Sequence, residues 1–178
     1  MTTEITSVLP GPIRQNGYVV SDLDAAIAEW LALGVGPWIT LGPMEQAMVF
    51  RGEPTNPTIT LAFANSGDLQ IELIHQTGDA PTAYQEFLDG GREGFHHLAW
   101  WAEDFDAVEA AVADAGWQVV LAGDGGGTTR FLYCEAPAVA ATCLEVMELN
   151  DMTRGLMDHV RQAAETWDGT TDPVRTLF

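Results

Sequence analysis

Two stretches decide the fold: Gln15-Asn16-Gly17-Tyr18-Val19-Val20-Ser21-Asp22-Leu23-Asp24-Ala25, and His97-Leu98-Ala99-Trp100-Trp101-Ala102-Glu103-Asp104-Phe105-Asp106-Ala107. Gln15, Asp22, Asp24 and Ala25 recur as His97, Asp104, Asp106 and Ala107 at a constant offset of 82 residues. Each copy begins as a strand and passes through an Asp suited to cap a helix. Downstream, each half closes in an apolar strand that carries an acid in its middle. These strands are Leu69-Gln70-Ile71-Glu72-Leu73-Ile74 and Leu144-Glu145-Val146-Met147-Glu148-Leu149. A duplicated unit with Gln15, Glu72, His97 and Glu145 on equivalent strands has the makings of a metal site.

Working outward, residues 1–12 read as a lead-in and 13–20 as a strand. Asp22 caps a helix carrying Leu23, Ala26, Ile27, Trp30 and Leu31 at helical spacing, and Gly34 ends it. Strands follow at Trp38–Leu41, Ala47–Arg51, Thr58–Ala64 and Leu69–His75, punctuated by Gly, Pro, Asn and Asp. Asp79-Ala80-Pro81 opens a connecting helix through Leu88. The order then repeats: strand Phe95–Ala102, helix Asp104–Ala115, strands Trp117–Leu121, Thr129–Cys134 and Thr142–Leu149. The run Gly123-Asp124-Gly125-Gly126-Gly127 lacks the lysine and the strand-to-helix setting of a phosphate loop, so it reads as a hairpin turn. Residues 151–167 suit a helix with Leu156, Val160, Ala163, Ala164 and Trp167 on one side, followed by a tail.

The expected fold is α+β: two tandem βαβββ units, with room for one extra short strand in the first, forming one incomplete barrel with a central cleft. All 178 residues form a single domain in this reading. The first unit spans 13–75, a connector 76–94, the second unit 95–149, and a helix and tail 150–178.

Composition narrows the function. The net charge is −19, there is no lysine, and the basic residues are seven arginines. Nucleic acid is excluded as a partner, because neutralising phosphates needs a basic face. A membrane partner is excluded on the same ground, and no apolar run reaches the length of a span. The acidity itself is accounted for by solubility or a salt-tolerant host. No signal pattern opens the chain, so the cytoplasm is the expected location. Cys134 and Cys143 lack CxxC spacing; they read as two reduced core thiols, with a disulfide or thiolate chemistry as the alternative.

Strand alternation supports the four site residues. Gln15 shares a face with Ile13, Gly17 and Val19; Glu72 lies with Gln70 and Ile74. His97 lies with Phe95, Ala99 and Trp101, while His96 points the other way. Glu145 lies with Cys143 and Met147, opposite Glu148. A carboxylate among apolar neighbours in mid-strand is costly unless paired or bound to metal, and only seven arginines are available to pair. Gln15 reads as a ligand or as polar lining. His75 and His96 read as plain histidines or as supports for the ligands and proton transfer. Trp38, Gln70, Trp101 and Phe131 are candidate substrate-binding residues, with the three aromatics as an apolar wall.

The segments Tyr18-Val19-Val20-Ser21-Asp22-Leu23-Asp24-Ala25-Ala26-Ile27, Gln70-Ile71-Glu72-Leu73-Ile74, Gly94-Phe95-His96-His97-Leu98-Ala99 and Leu144-Glu145-Val146-Met147-Glu148 occur in an order that resembles the vicinal-oxygen-chelate superfamily. This superfamily includes glyoxalase I, methylmalonyl-CoA epimerase, extradiol dioxygenases and bleomycin-resistance proteins. The resemblance covers roughly residues 13–149, and its last two segments and helix start are closest to the epimerase branch. It implies metal ligands at Gln15, Glu72, His97 and Glu145. Many members have His where Gln15 stands, but the Gln/Glu/His/Glu set is similar to that of zinc-type glyoxalase I.

One imidazole and three oxygen ligands suit a divalent metal ion such as Zn, Co, Ni, Mn or Fe. The implied chemistry is metal-assisted proton transfer next to a carbonyl, as in an epimerase, isomerase or lyase. Glu145, and secondarily Glu72, would act as catalytic base. The epimerase likeness suggests an acyl-CoA. The lysine-free acidic chain argues instead for a small or moderately apolar carbonyl substrate. The alternatives are a non-heme iron dioxygenase on the same fold and a non-catalytic small-molecule-binding protein of the resistance type. A homodimer is the expectation that the resemblance carries.

Overall fold

The computed structural model describes residues 7–136 and 141–177, so the first six residues of the lead-in lie outside the described residues. Strand β1 (Gln15–Val19) alternates buried and half-buried positions, with Gln15, Gly17 and Val19 turned inward. Helix α1 (Leu23–Ala32) follows, and the Asp22 side chain accepts from the Ala25 amide at 3.0 Å. Gly34, at φ +79°, takes the left-handed turn beyond its end. Then come β2 (Trp38–Glu45), β3 (Met48–Phe50), β4 (Glu53–Thr55), β5 (Thr58–Ser66) and β6 (Leu69–Thr77).

Helix α2 (Ala83–Asp89) connects the halves. Its cap is Thr82, which accepts from the Gln85 amide at 3.0 Å, rather than a residue of the Asp79–Pro81 segment. The second half repeats the plan with β7 (Gly94–Ala102), α3 (Phe105–Asp114), β8 (Val119–Gly123), β9 (Phe131–Glu135) and β10 (Cys143–Glu148). Asp104 caps α3 through the Ala107 amide at 3.0 Å, the bond that Asp22 makes in α1 at the same offset. The glycine run turns the chain from β8 into β9, with Gly125, Gly126 and Gly127 all at positive φ. Helix α4 (Asp151–Thr166) buries Thr153, Met157, Val160 and Ala163 along one stripe.

All strands join one mixed sheet in the order β11-β2-β5-β6-β1-β7-β10-β9-β8-β3-β4, where β11 is Val174–Thr176. Within each half the first and last strands run parallel, β1 with β6 and β7 with β10. At the centre β1 and β7 pair antiparallel, with Gln15 opposite Ala99 and Gly17 opposite His97. That register is symmetric under the offset of 82, so the two halves meet about a local twofold at Asn16 and Leu98. Strands β2 and β3 lie toward opposite ends of the sheet order, yet only residues 46 and 47 separate them in sequence. So short a link curls the sheet toward closure.

Two features depart from the expected plan. The β3–β4 hairpin leaves its own half and extends the other through β8. The segment expected to be a tail adds β11 parallel to β2. Helices α1 and α3 cover the outer face, where Val20, Ile27, Trp38 and Leu73 form one core and Phe105, Val108, Leu144 and Val146 another. Helix α4 packs Val160 and Ala163 on Ile39 and Phe63. Phe63 pairs with Glu72, so α4 covers the concave side of the first half.

Candidate metal centre

Row pairing across the sheet assembles the centre. Glu72 on β6 lies opposite Gly17 on β1, and Gly17 lies opposite His97 on β7. One step along, Gln70 faces Gln15, Gln15 faces Ala99, and Ala99 faces Glu145 on β10. The inward alternation read from the sequence therefore brings Glu72, His97 and Glu145 together, and puts Gln15 in the neighbouring row. His97 Nε2 is 3.3 Å from Glu72 Oε2 and 3.2 Å from Glu145 Oε2. Neither contact is aligned as a hydrogen bond, and all three atoms are buried without a partner. One ligand atom from each residue falls within 4.8 Å of the others.

A buried atom without a hydrogen bond is uncommon and destabilising by roughly 1–3 kcal/mol. Every one of the four residues expected to ligate carries such an atom: Gln15 Oε1, Glu72 Oε2, His97 Nε2 and Glu145 Oε2. The Gln15 amide donates through Nε2 to Gln70 Oε1 at 2.8 Å, which fixes its orientation and leaves Oε1 open. An imidazole nitrogen and two carboxylate oxygens converging in a buried site suit a divalent cation. The centre is thus capable of chelating a divalent metal ion through His97, Glu72 and Glu145.

Gly17 makes this possible. A Cβ at residue 17 would lie 1.8–2.4 Å from three atoms of the His97 ring. The ring occupies the space that any side chain would fill, so strand β1 needs glycine there.

His96 departs from the sequence expectation. Between Gly17–His97 and Tyr18–Phe95 the register shifts, leaving His96 as an extra residue in a β-bulge. The bulge turns His96 to the same side as His97, with their Nδ1 atoms 3.2 Å apart. It also carries Phe95 to the other face, against Tyr18. Burial holds His96 down at a pKa of about 3, so it stays neutral and can accept a proton's hydrogen bond at Nδ1. A metal held at Nε2 would leave the His97 proton on Nδ1, hydrogen-bonded to His96 Nδ1, an arrangement that would fix the ring.

Tyr84 and Tyr133 complete the inner wall. Their hydroxyls are 3.1 Å apart, and the Tyr133 ring stands edge-on to His97 at 5.0 Å. Burial, then the Glu145 charge, pushes both phenols up, so they remain protonated donors. The sequence reading gave Gly17, Tyr84 and Tyr133 no part in the centre, although a glycine inside a strand is a signal of close approach.

The remaining candidates separate. Phe131 and Trp101 lie on the concave face, Phe131 beside Tyr133 at 6.0 Å between rings. Trp38 does not: it is fully buried on the outer face among Ile27, Ala62 and Leu73, because Ile39 is the inward residue of that strand pair. His75 bonds the Val20 carbonyl through Nδ1 at 3.2 Å. Cys134 and Cys143 are free, and burial pushes their thiols up to about 11 and about 12.

Burial alone would lower the His97 pKa, but Glu145 and Glu72 outweigh it and raise it from 6.5 to about 9. Burial raises Glu72 above its ordinary 4.5. Both shifts mean that the folded, metal-free protein holds protons more tightly than the unfolded chain. The stabilisation from His97 is fully present below pH 6.5 and is lost as the pH rises through about 9; that from Glu72 is lost from about 4.5 upward. Metal-free protein is therefore expected to lose thermal stability between pH 6.5 and 9, and metal to stabilise it more as the pH rises. Melting curves with and without metal across that range check this; a flat metal-free curve contradicts it.

Residues 14–133 match the sequence pattern of the Glyoxalase/Bleomycin resistance protein/Dioxygenase superfamily. No curated protein sequence matches the chain. Methylmalonyl-CoA epimerase from Mycobacterium tuberculosis superposes with a TM-score of 0.56 at 21% identity, over 86% of this chain and 97% of that one. A hypothetical protein from Bacillus halodurans gives 0.57 at 17% identity, over 79% and 95%. A Streptomyces coelicolor methylmalonyl-CoA epimerase variant in complex with 2-nitronate-propionyl-CoA gives 0.53 at 20%, over 79% and 95%. At these identities the likeness is one of fold.

Proposed function

This chain belongs to the Glyoxalase/Bleomycin resistance protein/Dioxygenase superfamily, and from that membership and the buried triad we propose a divalent-metal-dependent enzyme that moves a proton at the carbon beside a carbonyl. The class is epimerase, isomerase or lyase. The observation that carries it is the set of four unpartnered buried atoms on Gln15, Glu72, His97 and Glu145. The fold it shares with proteins described as methylmalonyl-CoA epimerases supports the same chemistry.

In this reading His97, Glu72 and Glu145 hold the metal, with the Gln15 amide oxygen as a neutral fourth ligand. The bound ion supplies a Lewis acid for the carbonyl oxygen and so acidifies the neighbouring C–H. Glu145 would take the proton, and in an epimerisation Glu72, on the opposite side of His97, would return one drawn from solvent while Glu145 releases its own. Tyr84, Tyr133 and Phe131 exclude water. Single-histidine ligation fits this chemistry better than oxygen activation, for which two histidines are the usual donors, since the second histidine, His96, turns its Nδ1 to His97. Assembly as a homodimer in the cytoplasm is part of the proposal. Among the described residues no helix is long and apolar enough to cross a membrane.

The test is solvent exchange. Metal-loaded protein in deuterium oxide is expected to exchange the proton beside the carbonyl in a panel of 2-oxo acids and acyl thioesters, and metal-stripped protein is expected not to. Equal exchange with and without metal would reject the proposal.

A further inference from the structure

One row of the sheet extends the centre well beyond the metal ligands. Asn65 on β5 pairs with Gln70 on β6, Gln70 with Gln15 on β1, Gln15 with Ala99 on β7, and Ala99 with Glu145 on β10. Asn65 Oδ1, Gln70 Nε2, Gln15 Oε1 and Glu145 Oε2 are all buried and unpartnered. Asn65 is 7% exposed and Gln70 is fully buried. Its bond from Nδ2 to the Gly67 carbonyl at 3.1 Å leaves Asn65 Oδ1 as the open acceptor. Gln15 Oε1 and Glu145 Oε2 serve the proposed metal, which leaves Asn65 Oδ1 and Gln70 Nε2 as the groups of this polar track that a ligand would complete.

The outer end of the track opens at a cavity of about 240 Å³ that Asn65 lines with Trp101, Arg14, Arg154 and Arg161. Three of the seven arginines of this −19 chain meet here. Two are engaged, Arg154 with Glu103 and Arg161 with Asp158 and Glu165. Arg14 makes no ion pair among the described residues; its guanidinium stands 5.8 Å from the Trp101 ring. Trp101 Nε1 is a buried donor without a partner. Asp68 and Asp158 also line the cavity, and Arg154 and Arg161 are neutralised by the carboxylates they pair with, so Arg14 is the cation left to meet an anion. In a molecule with a net charge of −19, an arginine without a carboxylate partner is a place where an anion is favoured.

We infer that this cavity receives the carboxylate of an acidic carbonyl substrate whose carbonyl end lies at Glu72, His97 and Glu145. The inference rests on the proposed function and narrows its carbonyl substrate to an oxo dicarboxylate. Arg14 and Trp101 Nε1–H donate to the carboxylate, and Asn65 Oδ1 accepts from a hydroxyl or amide along the chain. Trp101 stands two residues along β7 from Ala99, the partner of Glu145, and four from His97, about 7–13 Å, which a chain of roughly six to eight carbons spans.

The test is calorimetric titration of 2-oxosuberate, its ω-monomethyl ester and the matching ω-phosphate into wild type, Arg14→Gln, Trp101→Phe and His97→Ala. The diacid is expected to bind wild type at least tenfold more tightly than the ester. Arg14→Gln and Trp101→Phe are expected to erase that difference while leaving metal uptake unchanged. His97→Ala is expected to weaken acid and ester alike and keep the difference. Equal binding of acid and ester to wild type, no binding of either, a difference that survives Arg14→Gln, or preference for the phosphate would each overturn the inference. Loss of metal uptake in wild type with the acid preference intact would instead reject the metal proposal alone.

Discussion

Gly17→Ala is expected to weaken metal binding by at least about a hundredfold while leaving the sheet assembled. The added Cβ would stand 1.8 Å from Cε1 and 2.0 Å from Nε2 of His97, well inside any real contact. The backbone at Gly17 is ordinary strand, without positive φ, so alanine adds no backbone strain there. The conflict falls on the His97 ring. That ring is fully buried between Glu72, Glu145, His96 and Tyr133 and has no free volume to enter. It must swing off the position where three ligand atoms meet. Since loss of a single supporting group around a metal costs 10–100-fold in affinity, displacement of the ligand itself is expected to cost at least about a hundredfold. Metal titration of the variant, with circular dichroism to follow the fold, checks this; wild-type affinity would show that His97 does not ligate from its present place.

The second large effect belongs to Glu145. Glu145→Gln keeps the shape and one oxygen ligand but removes the base. Its turnover is expected to fall by about 10²–10⁴, the usual contribution of a positioned general base. His97→Ala, by contrast, is expected to lose metal and turnover together, because it deletes the only nitrogen in the buried triad. The contrast between the two variants separates ligation from proton transfer. Unchanged turnover in both would dispose of the proposed chemistry.

Much of this site was legible because it depends on local rules. The offset of 82 fixed which residues correspond, and the matching caps Asp22 and Asp104 show that the two helix starts are the same device. Alternation placed Gln15, Glu72, His97 and Glu145 inward because a strand has period two. The misplacement of His96 and Phe95 has a single cause: the bulge adds one residue between Gly17 and Tyr18's partners, and everything before it changes face. Such a bulge is a property of the pair of strands, so neither strand alone announces it. Trp38 misled for a related reason. Its neighbour Ile39 pairs with Phe63 and takes the inward position, and only the pairing reveals which of two adjacent apolar residues does so. The β3–β4 hairpin and β11 join strands distant in sequence, through contacts that no short-range pattern encodes. The Arg14 cavity is likewise tertiary, since Arg14, Asn65, Trp101 and α4 come from four separate parts of the chain.

Anomalous scattering from metal-loaded crystals bears most directly on the central claim. A single peak within ligand distance of His97 Nε2, Glu72 Oε2 and Glu145 Oε2 is the predicted result, with Gln15 Oε1 turned toward it. Density at any other place, or none at the triad under saturating metal, would contradict a metal centre built from the two halves of the repeat.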